Sequence, residues 1–213
     1  MCSIIGSHSK DKIKELAELN AYRGQHSHSV YVFENYTNKV LYSHKGLGPL
    51  NIDDHNLPHG YIICHQQAPT TDNKDLNSVH PAQIGKSLLW HNGIIKAHEV
   101  KRLQKYLEST CTWDTKLLLQ FLVNEDTDAL HCIDGTFSCV WYDNTDLLIF
   151  RNEISPMFID HEANISSTKF KDSESVSPNK VLIFNYTAVN INDMLEWCNK
   201  FETVNNPYYG LDL

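Results

Sequence analysis

Residues 87–95 read Ser-Leu-Leu-Trp-His-Asn-Gly-Ile-Ile. The run from Ser87 to Trp90 is apolar enough for a buried strand, and Asn92-Gly93 is the pair most typical of a tight hairpin turn. The segment is therefore expected to be a core strand that stops at Asn92-Gly93. The same pair has a chemical use as well. An Asn amide and the N–H of the following residue can stabilise the oxyanion that forms when a nucleophile attacks an amide. A candidate nucleophile is Cys2, which follows Met1. Methionine before a small residue such as Cys is normally trimmed, which leaves a thiol and an α-amine on one residue. An α-amine has a pKa of about 7.7–8.0 and can take the thiol proton near neutrality. Taken singly, Cys2 reads as an accident of sequence, Asn92-Gly93 as a turn, and Asp114 as a carboxylate that suits a helix start. Their order along one chain is what gives them weight.

Outward from this segment, short strands alternate with helical patterns. Cys2 to Ile5 is an apolar run ending at Gly6. Ile13, Leu16, Ala17 and Ala21 share one helical face. Strand-like runs begin at Val30, Lys39 and Gly60, and residues 45–60 and 68–83 read as loops. Val100, Leu103 and Leu107 mark a helix after Asn92-Gly93, and Thr112 is expected to cap another, WDTKLLLQFLV. Phe137 to Tyr142 and Leu147 to Phe150 form a hairpin pattern across Asp143 to Asp146. Met157 to Asp160 and Val181 to Phe184 are further strands, with residues 164–179 between them as a mobile, Ser-rich loop. Asn192 is expected to cap a last helix with Met194, Leu195, Cys198 and Phe201 inward. The expectation is one α+β domain over residues 1–213: motifs in 2–156, closing strands and a helix in 157–204, and a loose tail in 205–213.

The 213 residues carry a formal net charge of −8, which disfavours a broad electrostatic grip on nucleic acid. No run of apolar residues is long enough to span a membrane, and the N-terminus lacks a signal-peptide core. A cytoplasmic setting is therefore expected. There the six cysteines stay reduced and the sequons at Asn35, Asn164 and Asn185 are idle. The cysteines form no C-x-x-C pair. His26 and His28 have no ligand neighbour at metal spacing, so they read as surface or loop residues and no metal or cofactor is expected.

The ordered motifs resemble the glutaminase domain of class II glutamine amidotransferases, which are N-terminal-nucleophile hydrolases. The likeness runs from Cys2 to about Pro156. MCSIIG resembles the family's MCGIFG. Tyr22-Arg23-Gly24-Gln25 resembles its YRG loop, with His26 where the family has Asp. Residues 64–70, CHQQAPT, fall on its G-H-x-R-x-x-T, and NSVHP (residues 77–81) is similar to NAHP. Residues 89–95 match VVHNGIIEN most closely, and Trp113-Asp114-Thr115 matches T-D-T. Residues 133–137 and 151–156 are similar to its L-x-G-x-F and A-R-D-x-x-P-L strands.

The resemblance implies a four-layer αββα sandwich. Cys2, once N-terminal, would attack the side-chain amide of glutamine and form a thioester, with Asn92 and Gly93 as the oxyanion site. The implied substrate-binding residues are Arg23, Gln67, Thr70, His80 and Asp114, with Asp114 on the substrate ammonium. The family's carboxylate-binding Arg is Gln67 here, which weakens that contact by about 1–3 kcal/mol or points to another amide, such as a γ-glutamyl conjugate. A catalytically inert binding module on the same scaffold is the remaining alternative. The larger relatives' ammonia-consuming domain has no counterpart here. The expectation is therefore a separate ammonia-accepting partner or a free amidohydrolase.

Overall fold

Ile4 and Ile5 point to opposite sides of the first strand, and the two sides belong to different cores. This alternation, repeated through the chain, builds the architecture. The structure is a computed structural model and describes residues 2–68 and 76–202. In chain order the elements are β1 (Ser3–Ser7), α1 (Lys10–Asn20), a 3-10 turn (Ala21–Arg23), β2 (Ser27–Phe33), β3 (Val40–Leu47), β4 (Tyr61–Gln67), β5 (Ala82–Ile84), β6 (Ser87–Ile95), α2 (Ala97–Tyr106), α3 (Asp114–Glu125), β7 (Gly135–Tyr142), β8 (Leu147–Arg151), β9 (Phe158–Ile159), β10 (Ile165–Ser166), β11 (Glu174–Ser175), β12 (Lys180–Phe184), α4 (Ile191–Met194) and β13 (Leu195–Lys200).

Two antiparallel sheets result. One has the order β11-β9-β10-β1-β4-β2-β3 and the other β13-β12-β8-β7-β6-β5. Between them lies a core of Ile4, Tyr31, Phe33, Tyr61 and Ile63 from the first sheet against Leu88, Trp90, Val140 and Ile149 from the second. Tyr31 and Phe33 both meet the Trp90 ring edge-on. On the outer face of the first sheet, α1 lays Ile13, Leu16 and Ala17 against Ile5, Val30, Val32 and Ile62. On the outer face of the second, α3 lays Leu117, Leu118 and Phe121 against Leu89, Phe137, Cys139 and Phe150, with Leu103 of α2 in the same cluster. The layers are therefore helix, sheet, sheet, helix, the αββα sandwich expected.

Four local expectations are corrected. β6 does not stop at Asn92-Gly93; it continues to Ile95, paired with β7 throughout. Glycine is used there for close approach, because a Cβ on Gly93 would sit 1.9 Å from the Thr136 carbonyl oxygen at a φ of +155°. The Ser-rich stretch is not a free loop. Its β10 pairs with β1, and Ser167 bonds both backbone groups of Ile4. Residues that look solvated in sequence are used as buried hydrogen-bonding partners. The last helix is one turn, capped by Asn190 rather than Asn192, after which residues 195–200 form β13 along the edge of the second sheet. Thr112 does not cap α3: Trp113 holds the cap position without a side-chain bond, and the Asp114 carboxylate takes the Thr115 N–H instead. The 205–213 tail lies outside the described residues.

Candidate functional site

The chemistry-bearing residues gather where β1 begins, β4 ends, α3 begins and β6 runs on past β5. Cys2 is nearly buried, at 9% exposure, and alternation places it on the Ile4 side of β1, toward the second sheet. β1 and β6 are in contact. Burial pushes the Cys2 thiol up. The Ala68 backbone N–H, hydrogen-bonded to the sulfur, works in the opposite direction, as does the Arg23 charge, while the Asp114 charge adds to the rise. These contributions also locate the thiol, within hydrogen-bond reach of Ala68 and electrostatic reach of Asp114 and Arg23. A thiol held up in this way needs a base before it can act as a nucleophile.

Two features hold the Cys2 end in place. Gly24, after the turn that carries Arg23, packs on the end of β4 so closely that a Cβ would lie 2.3 Å from the Ala68 nitrogen and 2.4 Å from the Gln67 carbonyl carbon. Only glycine allows that approach, and Ala68 is the residue whose N–H meets the sulfur. Arg23 is 8% exposed; its Nε donates to Thr168 Oγ1 at 3.0 Å and its guanidinium lies over the Tyr22 ring.

Asn92 shares the inter-sheet side of β6 with Trp90 and is 4% exposed. Among the described residues its side chain makes no hydrogen bond. Neighbours fix the direction of the Gly93 N–H. The His91 carbonyl points off β6 to accept from His65 Nε2, and the Ile95 N–H points the same way to Asp114 Oδ2. Strand alternation aims the Gly93 N–H to that side too, beyond the last residue of β6 that β5 covers, Leu89. A free amide and a free backbone N–H thus lie on the Cys2 side and the open edge of one strand.

Asp114 opens α3 and accepts from Thr115 N at 2.7 Å and Ile95 N at 3.2 Å, with the helix dipole supporting its charge. Gln67 is not an open donor. Its Oε1 accepts from His80 N and meets His80 Nδ1 at 3.1 Å, while its Nε2 donates to the Ser78 carbonyl. His80 is buried, stacked on His65 at 4.1 Å between ring centroids, and its Nε2 meets Thr115 Oγ1 at 3.0 Å. The same hydroxyl meets His91 Nδ1 at 3.1 Å. His80 donates from Nδ1 to Gln67, and His91 from Nε2 to the Thr136 carbonyl. The single Thr115 proton can go to one acceptor at a time among His80 Nε2, His91 Nδ1 and Asp114 Oδ1, the last at 3.3 Å. Burial, the first cause for both, lowers His65 to about 3 and His80 well below its ordinary value, so these rings are neutral.

The structure thus brings Cys2, Arg23, Gln67, His80, Asn92, Gly93 and Asp114 to one end of the sandwich; Thr70 lies outside the described residues. Sequence reading missed the supports. Lys45 Nζ clamps the carbonyls of Val79 and Pro81 on either side of His80, at 2.6 and 2.7 Å. Burial, with Lys116 adding to it, brings Lys45 down to about 8. Thr168 is equally silent in sequence, and Thr115 and His91, though they stand inside matched motifs, carry no role there. A surface hollow of about 470 Å³, lined by Ser87, Leu122, Asp126, Trp141 and Asn144, lies at the opposite end of β6 from Asn92.

No family model and no curated protein sequence matches the chain. By structure it is similar to glutamine phosphoribosylpyrophosphate amidotransferase from B. subtilis, complexed with ADP and GMP, with 17% identity and a TM-score of 0.66 over 94% of this chain and 49% of that one. It is similar also to a structure titled the allosteric regulatory enzyme of purine biosynthesis, with 16% identity and a TM-score of 0.67 over 95% and 49%. The chain spans about half the length of these structures. At such identity the likeness establishes the fold alone, which this chain shares with these two structures.

Proposed function

We propose that this chain, with Met1 removed, hydrolyses the side-chain amide of glutamine through Cys2. The observation that carries the reading is the meeting, at one end of the sandwich, of a buried thiol with an uncommitted Asn92 amide and an edge-facing Gly93 N–H. The raised thiol needs a base, and the freed Cys2 α-amine supplies one. The sulfur forms a bond to the amide carbon, and Asn92 and Gly93 stabilise the tetrahedral oxyanion. The C–N bond breaks, and the thiol proton leaves with the nitrogen as ammonia. Water then cleaves the thioester to give glutamate and restore the thiol. Asp114 takes the substrate ammonium. With Gln67 committed to His80, the carboxylate falls to Arg23, and Gln67 acts by holding His80. The ammonia either passes to a separate accepting partner or is released by a free amidohydrolase.

A second reading keeps the nucleophile and changes the substrate. The Gln67 amide is engaged where the family places a carboxylate-binding Arg, which favours an amide whose γ-glutamyl carboxylate is met differently. Intact-mass analysis and labelling with an electrophilic glutamine analogue test both. The expected results are a mass lacking methionine, one adduct on Cys2, and ammonia release from glutamine that disappears in Cys2→Ala. Faster turnover of γ-glutamyl conjugates than of glutamine would select the second reading. Retained Met1 with no adduct would leave a binding module without this activity.

A further inference from the structure

A group of three histidines lies away from the Cys2 site, on the outer, α1-bearing side of the first sheet. His28 of β2 is buried and faces the same side as Val30 and Val32. His44 of β3 is exposed and sits diagonally from it, and His55, buried, follows the short 3-10 turn Ile52–Asp54. One ring nitrogen from each lies within 4.8 Å of the others. We propose that His28, His44 and His55 form a site for one divalent transition metal of the zinc class. It is independent of the glutaminase reading.

The arrangement around the rings is that of ligands held ready. His28 Nδ1 lies 3.0 Å from the Gly48 carbonyl, which can only accept, so Nδ1 carries the proton and Nε2 keeps its lone pair. His55 Nδ1 is engaged by the Tyr42 hydroxyl at 2.9 Å, which leaves Nε2 for the metal. Such outer bonds orient imidazole ligands and raise their basicity. Gly46 stands opposite His28 in the strand register. A Cβ there would lie 2.8 Å from His28 Nε2 and 3.0 Å from His44 Nε2, so these two nitrogens converge over the one residue that offers no side chain.

The donor set chooses the metal. Three neutral imidazoles without a carboxylate suit zinc and its first-row neighbours and disfavour calcium or magnesium. Because His44 is exposed, the fourth position opens to water. The ion would staple the β2–β3 hairpin to the Ile52–Asp54 segment. That segment is otherwise tied to α1 by the exposed Lys14–Asp53 pair and by Lys10 donating to the His55 carbonyl. The sequence reading, which takes His28 for a surface or loop residue, is corrected here: His28 lies buried in β2, and its partners come from β3 and from the loop beyond it.

The test is metal titration of purified protein carrying Cys2→Ala, Cys132→Ser and Cys198→Ser, so that thiolates do not compete. Cobalt is followed by visible absorption and zinc by competition with a chromophoric chelator. The expected result is one ion per chain, a cobalt spectrum of four-coordinate type, and a higher melting temperature with zinc. Tyr42→Phe weakens binding about tenfold, His44→Ala weakens it further, and Gly46→Ala removes it while circular dichroism stays native. Failure of the folded parent to bind zinc at micromolar concentration, or equal affinity in the parent and His44→Ala, overturns the proposal.

Discussion

At Gly24 and Gly93 a single methyl group decides whether the site can exist. Gly24→Ala sets a Cβ into the Gln67–Ala68 backbone, which cannot swing aside as a flexible side chain would. The expected cost is about 1–3 kcal/mol of stability, seen as a lower urea midpoint, together with a displaced Ala68 N–H and little ammonia release. A variant of parental stability and activity would show that Gly24 is not tightly seated. Asn92→Ala should act differently, since the Asn92 side chain makes no hydrogen bond among the described residues whose loss would weaken the fold. In steady-state kinetics kcat should fall about 100–1000-fold with KM little changed; a raised KM at constant kcat would make Asn92 a binding residue only. Cys2, Asn92 and Asp114 are legible in the sequence because their side chains carry distinctive chemistry in a distinctive order. Lys45 and Thr168 are not, and the matched Trp113-Asp114-Thr115 gives no hint of what the Thr115 hydroxyl meets. Each acts through a partner from a distant element, and nothing in a lone Lys or Thr announces the partner.

Among the elements, legibility follows burial. β4, β6, β7 and α3 bury long apolar runs and can be read directly from pattern. β10 and β13 cannot. Ser166 and Ser167 are buried through hydrogen bonds rather than apolar contact, and β13 is an edge strand whose largely exposed side chains impose no period of two. Asn92-Gly93 misleads because the dipeptide statistics of turns do not see the Thr136 carbonyl across the sheet. The junction between α3 and the His80 segment is equally hidden, and it can be tested. The Thr115 hydroxyl meets both His80 and His91, so Thr115→Val removes the donor that the two rings share and leaves buried nitrogens unsatisfied. The expected loss is about 1–3 kcal/mol in chemical denaturation, with a fall in kcat/KM, and Thr115→Ser should restore most of both. If Val and Ser behave alike, the hydroxyl is not what joins these elements.

For the whole molecule, a layered α+β domain is legible because apolar runs must be covered, and helices at 10–20, 97–106 and 114–125 do that covering; the pairing of two sheets comes only with the family resemblance, since pattern does not say which strands neighbour which. Closing the sandwich also places two histidines, His65 and His80, where water does not reach, and this has a consequence for acid stability. In the unfolded chain each takes up a proton near pH 6.5. In the native protein burial, the largest cause, holds His65 to about 3 and His80 well below the usual value. Between these limits the unfolded state binds more protons than the native one, so stability is full above pH 6.5 and falls as pH drops below it, by up to about 1.4 kcal/mol per pH unit for each ring. Down to about pH 5 most carboxylates are still ionised, so the histidines dominate the change. Urea unfolding free energies in chelator should therefore be level from about pH 8 to 7 and decline from about pH 6.5 to 5. His44 and His55, lowered by partial burial, add to the same slope, so His65→Gln, which removes one titrating ring, should lower it without abolishing it. A free energy that stays level down to about pH 5, or a slope unchanged in His65→Gln, would mean that the rings titrate normally and that water enters the end of the sandwich where Cys2 lies.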